Sequence, residues 1–425
     1  MLEVFNPKLL EKLKQKEVKM KRTRYLALIL RSFIVCILFF FSLSGAALAK
    51  DKIVMGYSAS LSGGYSHVGK MIKDGYTVMA KVVNSKGGIY VKELNKRLPV
   101  ELKMYDDRSD PSTAAKLYER LITVDKVDFV LSPWGSSIGF PVTGICQKYK
   151  MPLVGIMFAS DPIFKQGYDY VFCTIQLASR HEWSPLELLR DSEDRPKKIQ
   201  YISTKELYGI TTAKGGMQRA KELGFQVYYE EVEKGVKDFT PLITKMKKTG
   251  IEVISTGIYE AEFFLLFRQM QELGFYPKFI YASHGTDLRD FWDTFGKLGE
   301  GACAGGFYNT TWRTHQNKEF VVAYKKYTGI YPTHYGATGA GIQIMQQAIE
   351  KAETLDRGKI KKVLQEEEFT CLVLPKVKYV SEGDYTNINK FAYSGVLQWH
   401  NGELLTIFPK EIADTELVYP MPWKR

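Results

Sequence analysis

The sequence predicts an α/β protein built as two doubly wound parallel-sheet lobes. Two observations lead there. From residue 52 to residue 282, short apolar runs of strand length alternate with amphipathic helical patterns, the signature of βαβ units and a parallel sheet. There are too many such units for one hydrophobic core, so the series divides in two.

The first series opens with a strand at 52–57 and a turn at Ser60-Leu61-Ser62-Gly63-Gly64. A helix follows with Val68, Ile72, Met79 and Val83 on one face, and it stops at Gly87-Gly88. Residues 99–105 alternate as a strand. Asp110-Pro111 starts the next helix, with proline at the first helical position, where its missing N–H costs nothing. Phe129 to Leu131 is a buried strand, a helix runs from about Ile138 to Tyr149, and 152–156 is another apolar strand. The second series begins near residue 180. Strands are expected at 198–203, 225–231, 253–257 and 278–282, with helices at 209–223, 238–248 and 260–273 between them. The tail differs: helices near 316–327, 333–353 and 357–367 precede strands near 371–380, 391–399 and 403–408. The stripe Phe263, Phe264, Phe267 reads as core. The glycine run from Gly336 to Gly341 lies inside a helical pattern rather than after a strand, so it reads as close helix packing and not as a phosphate loop.

In an open parallel sheet, ligands sit beyond the carboxyl ends of the strands. That rule selects five loops: 61–65, 134–137, 158–161, 257–260 and 283–287. Two facing lobes would gather all five around one cleft. The central loop is Gly135-Ser136-Ser137, between the strand at Phe129 and the helix near Ile138. A helix start of this kind presents free backbone N–H groups and holds an anion well, a carboxylate included. Trp134, Phe158, Phe140 and Trp183 suggest a wide aromatic lining. Tyr259 directly follows a strand and reads as a lid over the ligand. The same central loop fits G-x-S-x-G from Gly135 to Gly139, which would make Ser137 a nucleophile. The downstream histidines His181, His284, His315, His334 and His400 follow no obvious catalytic loop. Ser136 and Ser137 are therefore read as hydrogen-bond donors and helix caps, and catalysis is not expected.

Residues 1–49 read as an export signal rather than fold. Lys19, Lys21, Arg22 and Arg24 precede an apolar run at 32–43 and a small-residue cleavage pattern, Ala47-Leu48-Ala49. Translation is expected to start at Met20. The whole chain is +12, but residues 1–49 hold nine of its 59 basic and three of its 47 acidic residues, leaving the rest at +6. With no basic block carrying interleaved aromatics, nucleic acid is not an expected partner. Cys146, Cys173, Cys303 and Cys371 are far apart in sequence, so they form no metal motif, and sequence leaves their pairing open.

With these pieces in order, the chain resembles the periplasmic solute-binding proteins of branched-chain amino acid ABC transporters, the type I periplasmic binding protein fold. The resemblance covers about residues 52 to 410. It rests on Leu61-Ser62-Gly63, on Val83-Asn84-Ser85-Lys86-Gly87-Gly88-Ile89, and on Tyr105-Asp106-Asp107 with Asp110-Pro111. The Gly135-Ser136-Ser137 loop, Ala159-Ser160-Asp161-Pro162, Asp238-Phe239-Thr240-Pro241-Leu242 and Gly257-Ile258-Tyr259 complete it. It implies two lobes joined by three hinge crossings, near residues 176, 308 and 392. One lobe would hold 50–176 and 308–391, the other 177–307 and 392–425. It implies that Ser136 gives a hydroxyl to a ligand carboxylate, that Ser160 and the Phe158 carbonyl bind the ammonium and carboxylate region, and that Tyr259 closes over the ligand. It also implies a periplasmic monomer that delivers a small carboxylate-bearing solute to an inner-membrane permease, without a cofactor or metal. The alternatives are a ligand-sensing subunit of a receptor, or a secreted serine hydrolase using Ser137. One position departs from the family. Amino-acid binders carry an acid after the strand that here is 278–282, and this sequence reads Ser283-His284-Gly285. A buried ammonium without a counter-charge is costly. The expected ligand is therefore an amino acid, amide or aromatic acid, with the carboxylate on an apolar or aromatic body favoured and His284 facing its polar substituent.

Overall fold

The computed structural model describes residues 50–423, together with 8, 11, 12, 14–22, 25 and 31, which are helical. The apolar run at 32–43 and the cleavage pattern at 47–49 lie outside the described residues. No helix among the described residues is long and apolar enough to cross a membrane.

From residue 52 the chain forms two α/β lobes. The strands in chain order are β1 Ile53–Ala59, β2 Ile89–Val91, β3 Lys96–Leu98, β4 Val100–Asp106, β5 Phe129–Val130, β6 Leu153–Gly155 and β7 Val171–Cys173. Then come β8 Lys198–Thr204, β9 Gln226–Val232, β10 Val253–Gly257, β11 Phe279–Ala282 and β12 Cys303–Gly306. The last are β13 Glu368–Phe369, β14 Val377–Glu382, β15 Tyr385–Asn389, β16 Gly395–His400 and β17 Glu403–Phe408. In the first lobe β4-β1-β5 make a parallel sheet, and β13-β14-β15-β7-β6 make a mixed one. Between β5 and β6 the link is made by loops: Ile156 N donates to Ser132 Oγ at 3.4 Å, and Gly135 N to Met157 O at 2.9 Å. The second lobe holds one sheet, β17-β16-β12-β11-β10-β8-β9, parallel from β12 to β9 and closed at one edge by the antiparallel β16–β17 hairpin. The chain crosses between lobes after β7, after β12 and between β15 and β16.

Local chemistry explains the elements. β1 reads IVMGYSA and is buried almost throughout, as a strand covered on both faces must be. Asp110 caps the helix Pro111–Thr123 by accepting from Thr113 N at 2.7 Å, with Pro111 at its first position. The helix Ser66–Ser85 packs against the short turn Gly336–Gly339. A Cβ on Gly75 would stand 2.1 Å from Gly336 O, and one on Gly339 2.8 Å from Met79 Cβ. The glycine run is thus helix packing. It also breaks the expected 333–353 helix, which begins as a 3₁₀ turn and becomes α only at Ala340–Ala352. Phe263 and Phe267 are wholly buried, with Phe264 packed beside them. Cys146, Cys173, Cys303 and Cys371 are all buried and unbridged.

Candidate functional site

Ser136 starts the helix Ser136–Lys148, whose preceding Gly135 sits at φ 85°, a left-handed conformation that suits glycine. No side chain caps that helix start. Ser136 is 1 % exposed, and its Oγ accepts from the backbone N–H of Ala159 at 3.3 Å and of Ser160 at 3.2 Å. With the oxygen accepting twice, its own O–H remains to donate. The loop after β5 and the loop after β6 are thereby tied together by one hydroxyl. The Ser160 Oγ is buried with no hydrogen-bond partner.

These loops form one wall of a cavity between the lobes. Trp134, Gly135, Ser136 and the segment from Ile156 to Ala159 line it from the first lobe. Tyr208, Tyr259 and His284 line it from the second, and Ile175, His181, Phe307 and His334 complete it. It leaves about 30 Å³ of room for water-sized molecules. Trp134 meets Tyr65 at 4.8 Å, Tyr259 at 5.5 Å and Tyr335 at 5.9 Å between ring centroids. His284 lies among Tyr208 at 5.0 Å, Tyr259 at 5.4 Å and His334 at 5.6 Å. Most of this lining is aromatic and apolar.

The polar groups of the cavity are neutral or already paired. His181 Nε2 lies 2.7 Å from the Gln176 carbonyl, which can only accept, so Nε2 carries the hydrogen. Its Nδ1 then accepts from the Tyr208 hydroxyl at 2.9 Å. Burial pulls the His181 pKa down to about 4, against the pull of Gln176, so the ring is neutral. Burial, helped by His334, takes His284 down to about 3. The His284 Nδ1 is buried without a partner. Burial alone would raise Asp287, but His334, through its charge and its hydrogen bond, holds it below the ordinary carboxylate value. His334 Nδ1 donates to Asp287 Oδ2 at 2.5 Å. Burial raises Glu260, which accepts from the Tyr335 hydroxyl. Glu206 accepts from the Tyr65 hydroxyl, and Lys234 Nζ stands 3.5 Å from Glu206 and 3.4 Å from the Tyr65 ring centroid. These three hydrogen bonds run across the cleft, each with its carboxylate on the second lobe.

Of the eight residues the sequence singled out, Trp134, Ser136, Phe158, Tyr259 and His284 line the cavity. Ser160 lies just behind Ser136. Ser137 is half-buried and off the wall, and Ser283 is buried with its hydroxyl donating to Thr256 O at 2.8 Å. The aromatic lining expected at Phe140 and Trp183 is corrected: each is 38 % exposed. The helix Ser136–Lys148 buries Ile138, Val142 and Cys146, which turns Phe140 outward. Trp183 stacks under Arg180 and Arg219, each 5.5 Å from its ring centroid. Sequence reasoning missed His181, Tyr208, Phe307 and His334. Tyr208 had a usable signal, since it follows β8 and the strand-end rule applies there too. The described residues hold no group of His, Cys, Asp and Glu arranged for a metal.

The pattern of the periplasmic binding protein family matches residues 52–390. A Leu/Ile/Val-binding protein homolog of Brucella melitensis is 26 % identical over 396 residues, covering 89 % of this chain and 96 % of that one. A leucine binding protein from Thermotoga maritima superposes with a TM-score of 0.72 at 22 % identity, over 83 % of this chain and 97 % of that one. A solute binding protein from Rhodopseudomonas palustris, solved with 3,4-dihydroxybenzoic acid, gives 0.71 at 19 % identity, over 87 % and 99 %.

Proposed function

Because the chain belongs to the periplasmic binding protein family, we propose that it is exported, captures a small carboxylate-bearing solute between its lobes, and delivers it as a monomer to an ABC permease. Within that role, the ligand we propose is a carboxylate on an apolar or aromatic body rather than a branched-chain amino acid. One observation carries this. The acids beside the cavity, Asp287 and Glu260, are each engaged, by His334 and by Tyr335, while the position facing the ligand is the neutral His284. An ammonium would find no acid of its own and would have to share a carboxylate already engaged across the cleft; a buried charge left without its partner costs about 3–5 kcal/mol. The carboxylate end is supported by Ser136 and the uncapped helix start. The aromatic walls reward a flat apolar body. His284 Nδ1 supplies a hydrogen-bonding atom for a hydroxyl on it.

The Rhodopseudomonas palustris neighbour shows the same fold holding an aromatic acid, and the name of the Brucella relative favours the second reading, an aliphatic amino acid. A hydrolase reading has less support: His181 and His334 bond Tyr208 and Asp287, not Ser137. A thermal-shift screen of aromatic acids, amides and aliphatic amino acids tests the proposal. Stabilisation by aromatic acids and none by leucine is expected; tight leucine binding with no response to any aromatic acid rejects it.

A further inference from the structure

His334 faces two spaces at once. On one side it lines the cavity between the lobes, and on the other it lines a wider hollow bounded by Asp287, Tyr308, Thr310, Thr333 and Trp399. The cavity has about 30 Å³ of room for water-sized molecules, and the hollow about 400 Å³. The hollow opens outward past Tyr331, which is 57 % exposed. His334 is the residue that the two linings share. That ring is fixed on several sides. Its Nδ1 is 2.5 Å from Asp287 Oδ2, its centroid is 3.7 Å from Tyr335 and 5.7 Å from Phe307, and both His334 and Asp287 side chains are 4 % exposed.

We propose that His334, held by Asp287, is the end wall that limits the length of ligand the cavity accepts. The ligand class is a carboxylate whose far end meets His334. Longer members of that class would need the space the ring now fills, and the hollow behind it is where their tails would go. This rests on the cavity being a carboxylate site.

Isothermal titration of para-alkoxybenzoates, from methoxy to hexyloxy, against the mature chain tests it. Wild type should bind the short members and lose affinity sharply at one length. H334A should move that limit to longer members, with at least a tenfold gain for hexyloxybenzoate. H334F, which keeps a ring without the hydrogen bond, should leave the limit where it was. Since both variants strand the Asp287 carboxylate, H334A/D287N and H334F/D287N are titrated beside them and should show the same limits as H334A and H334F. A wild type that binds all lengths alike overturns the proposal, as does an H334A that loses affinity equally at every length. If wild type binds no member, the carboxylate reading of the site fails and the wall falls with it. If wild type binds methoxybenzoate and neither alanine variant admits hexyloxybenzoate, the wall alone is refuted.

Discussion

Replacing Ser136 with alanine removes one hydroxyl that does two jobs. Without ligand, its oxygen accepts from Ala159 N and Ser160 N at 3.3 and 3.2 Å. Each buried N–H left unpaired costs about 1–3 kcal/mol, and because both bonds are long the low end applies, giving about 2 kcal/mol for the two. Urea unfolding of the ligand-free protein should show that loss as a lower midpoint with an unchanged slope. With ligand, the variant also loses a charge-assisted bond to the carboxylate, worth about 1–3 kcal/mol, or roughly five- to 150-fold in Kd. Calorimetry with a bound aromatic acid measures that second term. Ser137→Ala is the control, being half-buried and off the wall, and should change Kd by less than about twofold. If Ser136→Ala keeps full stability, the tie between the two loops carries no energy. If Kd is also unchanged, the anion site lies elsewhere.

Three other outcomes follow from the same structure. His181 and His284 have folded-state pKa values of about 4 and 3 against 6.5 unfolded, so each withholds a proton on folding. Their stability is complete above pH 6.5 and drains as pH falls toward those values, at up to about 2.7 kcal/mol per pH unit for the two together; denaturation of wild type and of H181Q/H284Q from pH 7 to 4 should show a steep slope in the first and a shallow one in the second. Gly75→Ala would drive a Cβ to 2.1 Å from Gly336 O, between two backbones that cannot yield separately, and should cost about 1–3 kcal/mol or more by thermal unfolding. Tyr65→Phe breaks the bond to Glu206 across the cleft while keeping the ring over Trp134, so small-angle scattering should show a larger radius of gyration than wild type at subsaturating ligand; identical curves would remove this bond from the closing device.

The lobes were legible because parallel strands need covering helices, and their alternation is written in the apolar pattern. β10 matches its expected bounds, Val253–Gly257. The β2–β3 hairpin, β7, β12, β13 and β15 are two to five residues long and show no period of their own, whereas the equally short β5, β6 and β11 were legible as apolar runs beside helical patterns. The site was half legible. Residues at strand ends, Trp134, Ser136, Phe158, Tyr259 and His284, follow from topology. Phe307 directly follows β12, a strand the sequence did not reveal; His181 sits on the crossing after β7, and His334 lies just before the Gly336–Gly339 turn, away from any strand end, so only tertiary folding brings these two to the cavity. Phe140 and Trp183 went astray because aromatic type was weighed above helix face. The buried stripe Ile138, Val142, Cys146 already pointed Phe140 away.

The central claim is that the ammonium half of an amino-acid site is gone. Leucine and 4-methylpentanoate share a carbon skeleton and a carboxylate and differ at the α-ammonium alone, so the body of the ligand drops out of their comparison. Titration of each into the ligand-free protein is the direct measurement. With Asp287 and Glu260 engaged by His334 and Tyr335, 4-methylpentanoate should bind at least a hundredfold tighter than leucine, the equivalent of about 3 kcal/mol. Leucine binding tighter than 4-methylpentanoate would contradict the account.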